Sequence, residues 1–212
     1  MLAAENDRLT RVGRQTPMGE LVRRFWIPFL QVTDLREPDG APVRVTLLGE
    51  KLVAFRDSDG RVGLIERLCA HRCADLFFGR NEENGLRCTY HGWKYDVEGK
   101  CVDMPTEDAA STYKDKIRLT SYPVQERAGI LWTYMGPREQ MPELPEFEWM
   151  RVPEDYRFTS WSLQENNFVQ GIDGGIDTVH SVYLHSTLDS HRDLNAWQEQ
   201  GKSQGDARQV VR

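Results

Sequence analysis

The 212-residue sequence is poor in cysteine, with four in all and those unevenly spaced. That scarcity excludes a disulfide-built scaffold and points to a reducing, cytoplasmic setting in which thiols persist as metal ligands. Basic side chains are also in deficit: 27 Lys and Arg against 33 Asp and Glu leave a formal charge of -6. Nucleic-acid affinity depends on clustered cations releasing counterions, so nucleic acid is not expected as a partner. No apolar run is long enough to cross a bilayer, and the opening Met1-Leu-Ala-Ala-Glu-Asn-Asp-Arg8 is too polar for a secretory leader, so neither is a membrane. Internal repeats and low-complexity tracts are missing too. What remains is a chain with 39% hydrophobic residues spread along its length, enough to bury the core of one or two globular domains.

Local patterning orders that chain. A short helix is predicted over residues 16–24, with Thr16 as N-cap and Pro17 at the first helical position, where its missing N–H costs nothing; Trp26 and Pro28 close it. From Pro42 the period changes to two. Val43, Val45 and Leu47 alternate with polar neighbours, Gly49-Glu50 turns, and Leu52-Val-Ala-Phe55 returns as a hairpin. Turns at Asp57-Ser-Asp-Gly60 and Glu98-Gly99 flank further short strands at Val62–Ile65, Trp93–Val97 and Lys100–Val102, with two more at Tyr122–Glu126 and Gly129–Met135. This is the pattern of a small antiparallel β-domain. Pro137, Pro142, Pro145 and Pro153, interleaved with Phe147 and Trp149, then read as an extended connector pinned by aromatics. The division expected is 1–39 helical segment, 40–140 β-domain, 141–155 connector and 156–212 the start of a second, α+β domain. In that second domain residues 157–163 form a strand and a helix begins soon after Gly174-Gly175, running through Asp177 and His180.

Two constellations carry chemistry. The first is Cys69-Ala-His71 with Cys88-Thr-Tyr-His91, sixteen residues between His71 and Cys88. Each segment offers one thiolate and one imidazole. A ferredoxin cluster takes four thiolates; replacing two of them by histidines on one iron makes that iron less electron-rich and raises the reduction potential. Imidazole N–H groups at such a centre also allow reduction to be coupled to protonation. A Cys2His2 zinc site uses the same residue types, but zinc knuckles usually open with two cysteines near each other and not with a Cys-x-His pair. Cys73 and Cys101 read as small buried apolar residues and not as ligands. Trp93, Tyr95 and Trp132 read as core aromatics, Trp93 also shielding the metal centre from water.

The second constellation is Asp173-x-x-x-Asp177-x-x-His180-x-x-x-x-His185. Two imidazoles at short range with one further carboxylate suit a ferrous ion with positions open for oxygen. Asp177 and His180, three residues apart, share a helix face. His185 lies about 140° away from His180 on an ideal helix, so the helix must loosen or end near Leu184 for both to converge.

Cys69-x-His71-Arg72 with Cys88-x-x-His91-Gly92-Trp93 resembles the cluster signature of Rieske ring-hydroxylating oxygenases. The segments Thr16-Pro-Met-Gly-Glu20, Phe55-Arg-Asp57 with Gly60-Arg-Val-Gly63, and Trp132-Thr-Tyr-Met-Gly136 resemble the phthalate dioxygenase and phenoxybenzoate dioxygenase group of α-subunits. The resemblance implies a mainly β Rieske domain followed by the beginning of an α+β catalytic domain. It implies a 2Fe-2S cluster on Cys69, His71, Cys88 and His91, a mononuclear Fe(II) on His180 and His185, and Asp177 as the link between the iron site and the cluster of a neighbouring subunit. Electrons from NAD(P)H through a flavin or iron-sulfur reductase, O2, an aromatic substrate and a homotrimer follow from the same resemblance. In respiratory Rieske proteins a disulfide joins the two loops; here Tyr90 stands at the second-loop position and Cys73 lacks that partner. The family's third iron ligand, a carboxylate far past His185, is expected outside this chain, which resembles the N-terminal half of such an enzyme. The alternative is a Rieske ferredoxin, an electron carrier with no substrate of its own, against which residues 157–185 count.

Overall fold

The structure, a computed structural model, describes residues 2–108 and 110–184, and the chain divides into two units, Met1–Ser162 and Leu163–Arg212. In the first unit α1 (Ala3–Thr10) and α2 (Pro17–Val22) precede β1 (Trp26–Gln31), β2 (Val43–Leu47), β3 (Glu50–Arg56) and β4 (Val62–Glu66). There follow β5 (Arg80–Glu82), β6 (Gly85–Arg87), β7 (Lys94–Tyr95), β8 (Cys101–Asp103), β9 (Ser121–Tyr122), β10 (Val124–Arg127) and β11 (Ile130–Tyr134). They make three antiparallel sheets, ordered β1-β11-β10, β2-β3-β4-β9 and β5-β6-β7-β8. Among the described residues no helix is long and apolar enough to cross a membrane.

Leu52-Val-Ala-Phe55 is a continuous apolar run because its sheet is buried on both faces. Val53, Phe55 and Ile65 pack with Leu86, Trp93, Tyr95 and Cys101 of the β5–β8 side, while Leu52, Ala54 and Leu64 pack with Leu131 of the β1-β11-β10 sheet. The far side of that last sheet is covered by the connector: Trp26, Trp132 and Tyr134 bury Leu144 and Met150, and Trp26 Nε1 donates to the Pro142 carbonyl at 2.9 Å. The prolines thus sit in a packed strap.

Several local expectations shift. Thr16 does cap α2, its Oγ1 accepting from Gly19 N at 3.2 Å. Trp26 and Pro28, however, do not merely close that helix; they lie in β1, an edge strand where a proline without an N–H is tolerated and where the register slips between Pro28 and Leu30. The first hairpin turns one residue earlier than the sequence suggests, at Leu48-Gly49, both with positive φ, as a two-residue hairpin requires. Residues 157–163 form no strand, since a strand exists only where a neighbour takes up its backbone groups.

In the second unit α3 (Phe168–Ile176) and α4 (Thr178–Leu184) replace the single helix expected. Gly174 and Gly175 lie inside α3, and the break falls at Asp177. His185 and the tail beyond it lie outside the described residues.

Candidate functional site

Cys69 and Cys88 occupy equivalent places in two loops that close in the same way. Cys69 N donates to the Ala74 carbonyl at 2.9 Å, and Cys73 N returns to the Cys69 carbonyl at 2.9 Å. Cys88 N donates to the Trp93 carbonyl at 2.8 Å, and Gly92 N returns to Cys88 at 3.0 Å. The fifth residue of each loop is left-handed: Cys73 at φ 55° and Gly92 at φ 79°. This corrects the reading of Cys73 as a buried apolar residue. It is exposed and serves as a loop-closing corner, whereas Cys101 is buried as expected, and burial, ahead of its neighbours, pushes its thiol up to about 11.

The two loops bring Cys69 beside Cys88 and His71 against His91. The thiols of Cys69 and Cys88 are buried in the core between the second and third sheets. Burial first, and the neighbouring Cys69, push the Cys88 thiol up, opposed by the backbone N–H groups of Tyr90 and His91. The His71 and His91 rings meet edge-on at 4.4 Å between centroids, and His71 stacks on Trp93 at 4.7 Å with 11° between planes. Desolvation, then the nearby His71 and Arg72, lower the His91 imidazole, which favours the neutral form that a metal ligand needs.

His71 Nδ1 is buried without a hydrogen-bond partner, an orphaned ring nitrogen of the kind that a metal would satisfy. Two thiols, two imidazoles and this orphaned nitrogen fit a 2Fe-2S cluster of mixed ligation. Among the described residues no three His, Cys, Asp or Glu close on one point as a mononuclear site requires.

Two further residues complete the site: Tyr95, read from the sequence only as a core aromatic, and Arg87, which the sequence did not single out. Tyr95, fully buried in β7, brings its hydroxyl to 3.2 Å from Cys69 Sγ and accepts from Ala70 N at 3.2 Å. Burial, and then the Cys69 thiol, push that hydroxyl far up, so it stays protonated. The other is Arg87, immediately before Cys88, whose guanidinium reaches the Gly92 carbonyl at 2.8 Å. The only signals were adjacency, one residue before a ligand and two after Trp93; nothing in an isolated Arg or Tyr states what it will touch.

In the second unit Asp177 caps α4, its Oδ1 accepting from Val179 N at 2.9 Å, while Oδ2 lies 3.3 Å from His180 Nδ1. These bonds, that from Val179 first, hold the Asp177 carboxyl below its usual value. A carboxylate on Nδ1 selects the tautomer in which Nε2 carries the lone pair. Asp173 lies within α3 and His185 outside the described residues.

Residues 25–123 match the Rieske [2Fe-2S] domain family. The chain is 50% identical over 184 residues to the oxygenase subunit of 3-chlorobenzoate-3,4-dioxygenase from Comamonas testosteroni, covering 87% of this chain and 42% of that protein. It is 45% identical to the oxygenase subunit of phthalate 4,5-dioxygenase from Pseudomonas putida, covering 86% and 42%. Its fold is similar to that of dicamba monooxygenase bound to 3,6-dichlorosalicylic acid, with a TM-score of 0.67 and 28% identity over 77% of this chain and 47% of the other. The chain thus spans less than half the length of the relatives it matches.

Proposed function

Because residues 25–123 match the Rieske [2Fe-2S] domain family and the relatives are oxygenase subunits, we propose that the chain is the electron-entry part of such a subunit, serving O2-dependent hydroxylation or O-demethylation of an aromatic compound. Cys69, His71, Cys88 and His91 are the proposed ligands of the cluster, and His180 with His185 those of a mononuclear ferrous ion. When bound, the cluster supplies one-electron transfer and the ferrous ion O2 activation. The observation that supports this reading is that twin loops set Cys69 by Cys88 and His71 by His91, with the His71 Nδ1 buried and unpartnered.

What the side chains do follows from their surroundings. The apolar shell of Leu76, Leu86 and Trp93 excludes water from the thiolates, and Trp93 fixes the plane of His71 by stacking. Asp177 orients His180 and is the proposed connection between the two metal centres. A flavin or iron-sulfur reductase drawing on NAD(P)H is the proposed electron donor, and a homotrimer in the cytoplasm the proposed assembly and place. The names of the relatives, which act on chlorobenzoate, phthalate and dehydrodivanillate, favour the oxygenase reading over a ferredoxin-type carrier and suggest an aromatic acid as substrate.

Anaerobic reconstitution with ferrous iron and sulfide tests the ligand set. Acid-labile sulfide, visible absorption and a paramagnetic signal after dithionite are expected, all lost in Cys88→Ser. Iron-loaded protein that stays pale refutes the proposal.

A further inference from the structure

Arg87 ends β6 one residue before Cys88, and its side chain is only 11% exposed. A guanidinium so placed needs partners for its donors, and it has three by hydrogen bond, with Glu83 Oε2 a further 3.6 Å from Nη2. Nε donates to Glu82 Oε1 at 2.7 Å, and Nη1 donates both to Asp103 Oδ2 at 2.6 Å and to the Gly92 carbonyl at 2.8 Å. The two carboxylates belong to the strands on either side of the loop, β5 and β8, so they fix the guanidinium relative to the sheet.

The Gly92 carbonyl it grips follows His91 directly. Gly92 stands at φ +79° against Pro105, whose Cγ would lie 2.6 Å from any added Cβ, so this peptide is held in an orientation open only to glycine. Neutralising Glu82 and Asp103 alone would need a charge, not a fork. Spanning two carboxylates and a loop carbonyl at once needs the planar guanidinium, which a lysine ammonium on its flexible stem does not reproduce.

We propose that Arg87 is a positioning residue for the second ligand loop, acting through the Gly92 carbonyl to hold His91 in a single orientation. The assignment rests on the reading of Cys88 and His91 as cluster ligands. It makes the fork, beyond the charge, the feature that matters.

The test uses the whole chain reconstituted with iron and sulfide, and Arg87→Lys, which keeps the charge and removes the fork. Iron and sulfide content are expected to match the wild type. The paramagnetic signal of the reduced protein should broaden, and the one-electron reduction equilibrium should change at least threefold, about 30 mV at 59 mV per tenfold. A variant with wild-type line shape and potential overturns the proposal. Should Arg87→Lys fail to fold, Asp103→Asn loosens the same guanidinium and is read the same way: a broadened signal supports the assignment and a wild-type one overturns it. Failure of the underlying ligand reading shows separately, as a wild-type chain that never colours.

Discussion

Tyr95 and Cys73 show how one side chain acquires a role that its type does not announce. A protonated hydroxyl 3.2 Å from the Cys69 sulfur would stabilise a cluster held there more in its reduced form, because added negative charge strengthens the hydrogen bond. Tyr95→Phe is therefore expected to lower the reduction potential by on the order of 50 mV while leaving the chain folded, the ring filling the same core space. A redox titration giving the wild-type midpoint would sink this account. Cys73 carries a Cβ in the left-handed region, where glycine sits in the twin loop. Replacing it with glycine relieves backbone strain of roughly 1 kcal/mol, partly offset by the freer unfolded chain. Cys73→Gly should thus raise the denaturation midpoint slightly and keep the full iron content; loss of iron would instead mark Cys73 as a ligand.

At the scale of elements, the N-terminal helices are tied to the β2–β3 hairpin through one carboxylate. Glu50 receives Arg14 at 2.9 Å and the buried Arg23 at 2.6 Å, and Tyr122 donates to it as well. Burial alone would raise the Glu50 carboxyl, but the bonds from Arg14, Tyr122 and Arg23 prevail and bring it to about 2. A carboxylate depressed in this way stabilises the fold above its unfolded value near 4.5, and that contribution is lost as the pH falls toward 2. Allowing for solvent screening, it amounts to about 2 kcal/mol. The stability gap between wild type and Glu50→Gln should be full at pH 6 and shrink below pH 4.5. A gap independent of pH would show that the clamp does not work through charge.

Over the whole molecule, the proposed ligands come from two loops that depart from different strands and converge only through the packing between sheets. A metal centre bound by the native state alone stabilises it by mass action, so extraction of iron should lower the melting temperature and loosen residues 68–78 and 88–93 first in hydrogen exchange. If the apo chain melts like the loaded one, the loops are held by the sheets alone.

The mainly β architecture, most of its turns and the family were legible in the chain because alternation, Gly and Asp turn chemistry and donor spacing are local properties. The strand over Trp26–Gln31 was not, since Pro28 signals a break and only pairing with β11 makes it a strand. The helix break at Asp177 escaped too, because an aspartate inside a helix and one capping the next read alike until the backbone is seen.

Sequence by itself determined which residue types could hold iron and in what pairs, for that is a matter of donor chemistry and spacing along the chain. Tertiary structure alone decided that Arg87 reaches the Gly92 carbonyl, that Tyr95 reaches the Cys69 sulfur and that Cys73 turns outward. Those contacts depend on which strands neighbour one another, which no single segment encodes.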